Sequence, residues 1–235
     1  MRAGQSEDRT GRGGAFTGSG KEREMDIPGR RLKSGHTMPV LGLGTWQLTG
    51  DTCERTVREA LDVGYRHIDT SDDYMNEERI GAALEGFDRS KLFVTSKVDD
   101  SRLREKEVMK ACRESLERLR MDYLDLYLIH RPNPEVPLEE TMEGMDALVE
   151  EGLVRSVGIS NFGVGGTKAA DSSSLEPVAV NQIKIHPYHY PGDVIRSLME
   201  RDIVVTAYSP LDTGGIVDDD MLSSIGRRYG KTAAQ

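Results

Sequence analysis

The sequence predicts an α/β protein folded as a (β/α)8 TIM barrel, with an N-terminal β-hairpin and about seven of its strand–helix units. From residue 30 onward, short apolar runs alternate with longer helical patterns, which is the order that parallel strands and crossover helices produce. The run YLDLYLI is apolar at nearly every position, as expected for a parallel strand covered on both faces. No GxGxxG fingerprint follows the first strand, so a barrel is favoured over a doubly wound sheet.

The predicted elements follow one another without a long linker, which indicates one domain over residues 25–235. The segment RRLKSGHTMPV predicts the hairpin. Gly64 and Gly152 follow two predicted helices at the position where a left-handed residue is needed. The seven predicted strands span residues 41–46, 65–69, 92–97, 123–130, 154–160, 178–182 and 203–208. Two intervening helices carry apolar stripes at intervals of three and four, one with Val108, Cys112, Leu116 and Leu119, the other with Leu138, Met142, Met145 and Leu148.

Both ends of the chain are expected to depart from this pattern. Residues 1–24 are rich in Gly, Arg and Ser, so they cannot offset the entropy cost of ordering and are predicted to form a disordered tail, with Met25 a candidate start. Seven units are one strand and at least one helix short of a full barrel, and YGKTAAQ is predicted to be helical. We therefore expect the C-terminal strand and helix to be missing. The small, polar segment 163–174 predicts a short or frayed helix.

Composition limits the partners that this chain can have. The 235 residues include 31 Lys plus Arg and 40 Asp plus Glu, for a net charge of -9, and no uncharged run is long enough to cross a bilayer. An acidic protein gains nothing from counterion release, which argues against nucleic-acid or anionic-membrane partners. Cys53 and Cys112 both fall in predicted helices, and so sparse a pair fits a reducing compartment without a disulfide. We expect a cytoplasmic monomer that binds small molecules.

Candidate catalytic residues follow neighbouring strands of the predicted barrel. Asp69, Lys97 and His130 end the second, third and fourth strands, and Tyr74 follows the second. Singly, each has a common structural explanation, as a turn cap, a rim charge, a core histidine or a packing residue. Because catalytic groups of such barrels lie at the carboxyl ends of the strands, the four together favour an active site.

These four residue types predict a site that protonates an oxyanion. A phenol with a pKa of about 10 is a poor proton donor at neutral pH. An ammonium about 4 Å away, at an effective dielectric of about 20, is worth roughly 4 kcal/mol, and Lys97 is therefore expected to lower the pKa of Tyr74. Asp69 would hold Lys97 charged and in place, while His130 would donate to or orient the substrate oxygen.

Several motifs closely resemble the aldo-keto reductases, in order and spacing, over about residues 30–235: GLGTW, DTSDDYMNEERIG, FVTSKV, YLDLYLIHRP, VGISNF, VNQ and AYSPL. The resemblance implies a barrel that binds NADPH, with NADH as an alternative, across its mouth without a Rossmann fold. It implies reduction of small aldehydes or ketones by hydride transfer, with Tyr74 as general acid. The short, Pro-rich loop 131–137 resembles microbial members that reduce diketogluconate and methylglyoxal-like compounds.

The resemblance also assigns the remaining site residues. Ser160, Asn161 and Gln182 match residues that hydrogen-bond the nicotinamide carboxamide, and Tyr208 matches the aromatic under the ring, although Ser-Asn after a strand is otherwise a common cap. The segment that would hold the adenosine 2′-phosphate is not found, so the NADPH preference rests on analogy. The implied cofactor-binding residues are Gly44, Thr45, Asp69, Ser160, Asn161, Gln182, Tyr208, Ser209 and Leu211, and the implied substrate-pocket residues are Trp46 and His130.

Two rival interpretations remain open. A metal-dependent barrel hydrolase could use His67, Asp69, His130 and His186, and it predicts a bound divalent metal. No metal is expected under the favoured interpretation. The second rival, suggested by the missing C-terminal units, is a catalytically inactive, truncated cofactor-binding protein or a gene fragment.

Overall fold

The computed structural model describes residues 27–235, and the predicted tail at 1–24 and the candidate start at Met25 lie outside them. Strands β1 (Gly29–Arg31) and β2 (Thr37–Pro39) pair antiparallel, which confirms the predicted hairpin. Seven parallel strands then form a nearly closed barrel in sequential order. They are β3 (Leu43–Gly44), β4 (His67–Asp69), β5 (Phe93–Val98), β6 (Leu126–Ile129), β7 (Val157–Ser160), β8 (Val180–Lys184) and β9 (Val204–Tyr208).

Helices α1 to α6 join consecutive strands and cover the outside of the barrel, and α7 follows β9. They are α1 (Gly50–Asp62), α2 (Glu77–Leu84), α3 (Glu105–Leu119), α4 (Leu138–Glu150), α5 (Val164–Ser173), α6 (Gly192–Met199) and α7 (Asp220–Arg228). The predicted apolar stripe of α3 is buried throughout, and in α4 three of the four predicted residues are buried while Leu138 packs partly buried against the same core. Burying one such side chain contributes about 1.5–3 kcal/mol, so these stripes fix the helices on the sheet.

All seven predicted strands are present, and each begins later than the apolar run that predicted it. The run at residues 123–130 illustrates the reason, because the regular ladder starts only at Leu126. Asp125 directs its carboxylate at the backbone N–H of Val94, and Leu124 forms only an isolated bridge with Val154. Gly64 and Gly152 have φ values of 106° and 75°, which confirms their left-handed role after α1 and α4.

Two sequence-based expectations about helices are wrong. The segment YGKTAAQ is not helical, because Gly230 adopts φ 65° and the Lys231 N–H bonds to the Gly226 carbonyl, which ends α7 at Arg228. The segment after β7 forms a ten-residue helix, α5, rather than a short one. Its only buried residues are Thr167 and Ala170, which explains why it shows little apolar periodicity.

The sheet ends at β3 on one side and β9 on the other, and no strand within residues 27–235 joins these two edges. The fold is therefore that of a (β/α)8 barrel with seven of its strands in place. Cys53 and Cys112 lie in α1 and α3, as predicted, and both are free and buried. None of the helices in the described part of the chain combines the length and apolar character needed to cross a membrane.

Candidate active site

The four predicted catalytic residues meet at the carboxyl ends of three adjacent strands. Asp69 is the last residue of β4, Lys97 lies near the end of β5, and His130 directly follows β6. Tyr74 ends the 3-10 turn Asp72–Tyr74, which begins three residues after β4. Parallel pairing of β4 with β5 and of β5 with β6 places these ends side by side.

Lys97 is the buried centre of the group, with 1% of its side chain exposed. Its Nζ donates to Asp69 Oδ1 at 2.6 Å, to the Thr70 carbonyl at 2.6 Å and to Tyr74 Oη at 3.5 Å. Burial opposes the charged form, but the attraction of Asp69 and Tyr74 outweighs it and raises the pKa of Lys97. Lys97 is therefore a fixed cation next to the phenol.

The pKa of Tyr74 is raised, so the expectation that Lys97 would lower it below its ordinary value is wrong. Loss of solvation on burial is the largest cause, and it exceeds the opposing effect of the Lys97 cation. The phenol therefore keeps its proton at neutral pH. The Lys97 cation does lower the pKa of Tyr74, as predicted, but this effect is smaller than the increase that burial causes.

His130 lies edge-to-face against Tyr74, with ring centroids 5.7 Å apart. Burial, followed by the charge of Lys97, lowers the pKa of His130, so the imidazole is neutral at neutral pH. Its Nδ1 lies 3.2 Å from Ser71 Oγ. This hydrogen bond holds the imidazole in place beside Tyr74, and either of its two groups can be the donor.

The residues assigned to the cofactor form one hydrogen-bonded network with the catalytic group. Gln182 Nε2 donates to Asp69 Oδ2 at 2.7 Å, so Asp69 joins Lys97 to β8. Tyr208 Oη donates to Asn161 Oδ1 at 2.8 Å, and Asn161 Nδ2 donates to the His130 carbonyl at 2.9 Å. Ser160 Oγ donates to the Gln182 carbonyl at 2.8 Å. These side chains are thus held in place before any ligand arrives.

A cleft of about 1520 Å³ opens above this network. Lys97 does not line it, because its side chain is buried behind Asp69 and Tyr74. All the other predicted site residues do, namely Gly44, Thr45, Trp46, Asp69, Tyr74, His130, Ser160, Asn161, Gln182, Tyr208, Ser209 and Leu211. The structure therefore brings every predicted site residue except Lys97 to one opening.

Sequence reasoning missed residues that position this group. Asn76 is buried, donates to the Thr45 and Leu48 carbonyls, and accepts from Thr70 Oγ1, so it ties the first loop to the Tyr74 loop. Glu77 is also buried and accepts hydrogen bonds from Ser96 and Arg118. The sequence around Asn76 and Glu77 did not reveal this positioning role, because Asn followed by two acidic residues is also an ordinary helix start.

The residues of the metal-hydrolase interpretation do not assemble. His67 packs on Phe93 and lies 3.0 Å from Thr95 Oγ1, His186 faces Asp212, and both oxygens of Asp69 accept from Lys97 and Gln182. Across residues 27–235, no cluster of three or more His, Cys, Asp or Glu side chains is placed to hold a metal ion.

The fold and these side chains are those of an α/β-barrel enzyme with its polar site at the carboxyl ends of the strands. Residues 40–229 match the sequence model of the Aldo/keto reductase family. The chain is 39% identical over 212 residues to an aldo-keto reductase of Mycobacterium avium, covering 89% of this chain and 74% of that one. It is equally 39% identical over 212 residues to the methylglyoxal reductase DkgA of Salmonella typhimurium, with 87% and 76% covered.

A solved structure agrees with these relatives. The aldo-keto reductase of Bombyx mori in complex with NADP superposes with a TM-score of 0.81 at 31% identity, covering 88% of this chain and 77% of that one. The chain belongs to the aldo-keto reductase family. It is accordingly an NAD(P)H-dependent oxidoreductase that acts on carbonyl compounds.

Proposed function

We propose that this chain reduces small aldehydes or ketones with NADPH, and that Tyr74 is the general acid. The observation that carries the proposal is the contact of Tyr74 Oη with Lys97 Nζ at 3.5 Å, backed by Asp69 at 2.6 Å, at the mouth of the barrel. A protonated phenol beside a fixed cation can give up a proton to an alkoxide and leave a stabilised phenolate.

Each side chain has a distinct part in this reaction. When bound, the nicotinamide supplies the hydride. Tyr74 holds the proton until negative charge develops on the substrate oxygen, because burial disfavours the phenolate beforehand. At 3.5 Å and an effective dielectric of about 20, the Lys97 cation stabilises the phenolate by about 5 kcal/mol. His130 orients the carbonyl, and Asp69 keeps Lys97 in place.

The walls of the cleft fit a nicotinamide. Asn161 and Gln182 present amides that Tyr208 and Asp69 already hold, and an amide can both donate to and accept from a carboxamide. Thr206 also lines the cleft, and its buried Oγ1 has no partner among residues 27–235. At Gly44 an added Cβ would meet no protein atom within 4 Å, so the wall is open there. These residues, with the Tyr208 ring, would hold the cofactor.

The preference for NADPH and for small substrates is proposed from the relatives. The similar Bombyx mori structure contains NADP, and the similar Salmonella typhimurium protein is a methylglyoxal reductase. The loop after β6, at residues 131–137, is short, so it supplies few side chains that could contact and select a large substrate. We further propose that the protein acts as a cytoplasmic monomer.

The direct test is cofactor consumption by the purified full chain with methylglyoxal, using NADPH and NADH in parallel. Binding is followed separately by quenching of Trp46, which is the only Trp in the sequence and lines the cleft. We expect substrate-dependent oxidation of NADPH. Within residues 27–235 no strand pairs with the outer edges of β3 and β9, and this keeps the inactive cofactor-binding protein as the second candidate. Quenching without turnover on methylglyoxal and a panel of small aldehydes would support it and contradict the proposal.

A further inference from the structure

Asp73 places a carboxylate in the active-site cleft beside His130, and it has no part in the proposed mechanism. It lies directly before Tyr74 and lines the cleft, with 36% of its side chain exposed. Its Oδ1 is 3.5 Å from Nδ1 of His130, the ring that faces the carbonyl site. Any substrate that reaches His130 and Tyr74 therefore passes close to this charge.

The other acidic residues of the cleft are paired with cations. Asp69 lies 2.6 Å from Lys97, and Asp202 lies 3.6 Å from Arg30. Asp73 differs, because its ion contact among residues 27–235 is with His130, which is neutral. Its carboxylate is thus uncompensated at short range.

Arg131 is the cation that could cancel this charge, since it also lines the cleft next to His130. It is exposed, and its effect on the pKa of His130 is smaller than that of Asp73. Asp99 acts on the same imidazole in the same direction as Asp73. Lys97 has a larger effect, but its side chain is buried and does not line the cleft. Among the charged groups that line the cleft, Asp73 therefore has the largest effect on His130.

We propose that Asp73 is a specificity-determining residue that disfavours carbonyl compounds with an anionic group next to the carbonyl and leaves neutral ones favoured. This inference rests on the proposed function, which places the carbonyl between Tyr74 and His130. Two like charges about 6 Å apart, at an effective dielectric of about 40 for a half-exposed site, repel each other. This repulsion is strong enough to lower the affinity for the anionic compound about tenfold. Added salt should weaken the discrimination.

The test compares phenylglyoxylate with phenylglyoxylamide, two ketones of equal shape that differ by one charge beside the carbonyl. Binding to the cofactor-free full chain is followed by the indole N–H resonance of Trp46, and turnover with NADPH is measured on the same pair. In Asp73→Asn we expect the affinity ratio of acid to amide to rise about tenfold. Asp73→Glu should keep the wild-type ratio, because it keeps the charge.

Asp193→Asn, which removes an exposed carboxylate on α6, controls for net charge and should leave the ratio unchanged. An Asp73→Asn ratio equal to that of the wild type would overturn the proposal, as would failure of both ketones to shift the Trp46 resonance. A raised binding ratio without any NADPH oxidation would instead refute the proposed reductase function and leave the role of Asp73 intact. The two failures are therefore distinguishable.

Discussion

Asp69 connects the two halves of the site at the level of single atoms. One of its oxygens accepts from Lys97 and the other accepts from Gln182, so a single carboxylate fixes the proposed catalytic cation and a proposed cofactor-binding residue. Lys97 is fully buried, and removing one partner of a buried ion pair typically costs 3–5 kcal/mol. Loss of Asp69 would therefore damage folding as well as catalysis, and this makes it a poor residue for testing the mechanism alone.

Asp72 provides a test of the electrostatics beside Tyr74. Burial raises its pKa from 3.8 to about 6, Oδ1 has no partner among residues 27–235, and Arg102 is 3.9 Å away. Between these two pH values the native state binds more protons than the unfolded chain, so stability falls as pH rises. A difference of about 2 in pKa corresponds to about 3 kcal/mol.

The wild type should lose this stability as the pH rises from about 4 to about 7, while Asp72→Asn should not. Across that range we therefore expect the free energy of unfolding of Asp72→Asn to increase by about 3 kcal/mol relative to that of the wild type. Urea unfolding at several pH values measures this difference. Asp193→Asn serves as the exposed control, since it removes a carboxylate that is 89% exposed. Parallel stability curves for Asp72→Asn and the wild type would show that Asp72 does not titrate as described.

At this scale the sequence predicted which residues the fold brings together, but not their protonation. Asp69, Lys97 and His130 could be placed because each ends a strand, and parallel strands align their ends. The raised pKa of Tyr74 could not, because it depends on how much water the fold excludes. The same holds for Asp72 and Asp73, which look like ordinary loop residues in the sequence.

Among the elements, the contact of α2 with the end of α3 positions the helix that follows the Tyr74 loop. At Gly81 in α2, an added Cβ would lie 2.7 Å from the Leu119 carbonyl oxygen and 2.8 Å from that of Arg118. These are backbone atoms, which cannot rotate away. Only glycine allows the two helices to approach this closely.

Gly81→Ala should therefore lower the free energy of unfolding by about 1–3 kcal/mol, as for other overpacked sites. Gly165→Ala in α5 is the matched control, because its Cβ would meet no atom within 4 Å. That variant should gain about 0.5–1 kcal/mol from helix propensity. Urea denaturation of both variants checks the pair, and equal stabilities would refute the close approach of α2 to α3.

Element boundaries were predicted less well than element order, for local reasons. The strand predicted at residues 123–130 begins later because Asp125 turns its carboxylate to a neighbouring backbone N–H. The end of α7 depends on the left-handed conformation of Gly230, which a glycine permits but does not require. Apolar periodicity predicts burial, and it does not report where hydrogen bonding stops.

Across the whole molecule, seven parallel strands in sequential order place every site residue at one end of the barrel. The alternation of strands and helices predicted this arrangement, since right-handed crossovers leave few other topologies. The count of predicted strands also indicated a gap in the barrel, and within residues 27–235 this opening lies between β3 and β9. It leaves all five residues of β9 at least partly exposed along the cleft.

Cofactor binding should stabilise the molecule as a whole. At a concentration of about 100 times its Kd, NADPH adds about 2.7 kcal/mol to the free energy of unfolding. For a chain of this size, that corresponds to a rise in Tm of about 5–10 °C. Thermal unfolding with and without NADPH measures it, and NADH at the same concentration should give a smaller rise. An unchanged Tm at saturating NADPH would count against the cofactor site.

The most direct measurement is single-turnover oxidation of bound NADPH by an aldehyde in Tyr74→Phe, which removes one oxygen and keeps the ring against His130. Tyr123→Phe is the control, because Tyr123 lies between Arg89 and Arg155, away from the cleft. We predict that Tyr74→Phe quenches Trp46 with NADPH as the wild type does, yet turns over about 10²- to 10⁴-fold more slowly. Wild-type turnover in Tyr74→Phe would contradict the assignment of Tyr74 as the proton donor.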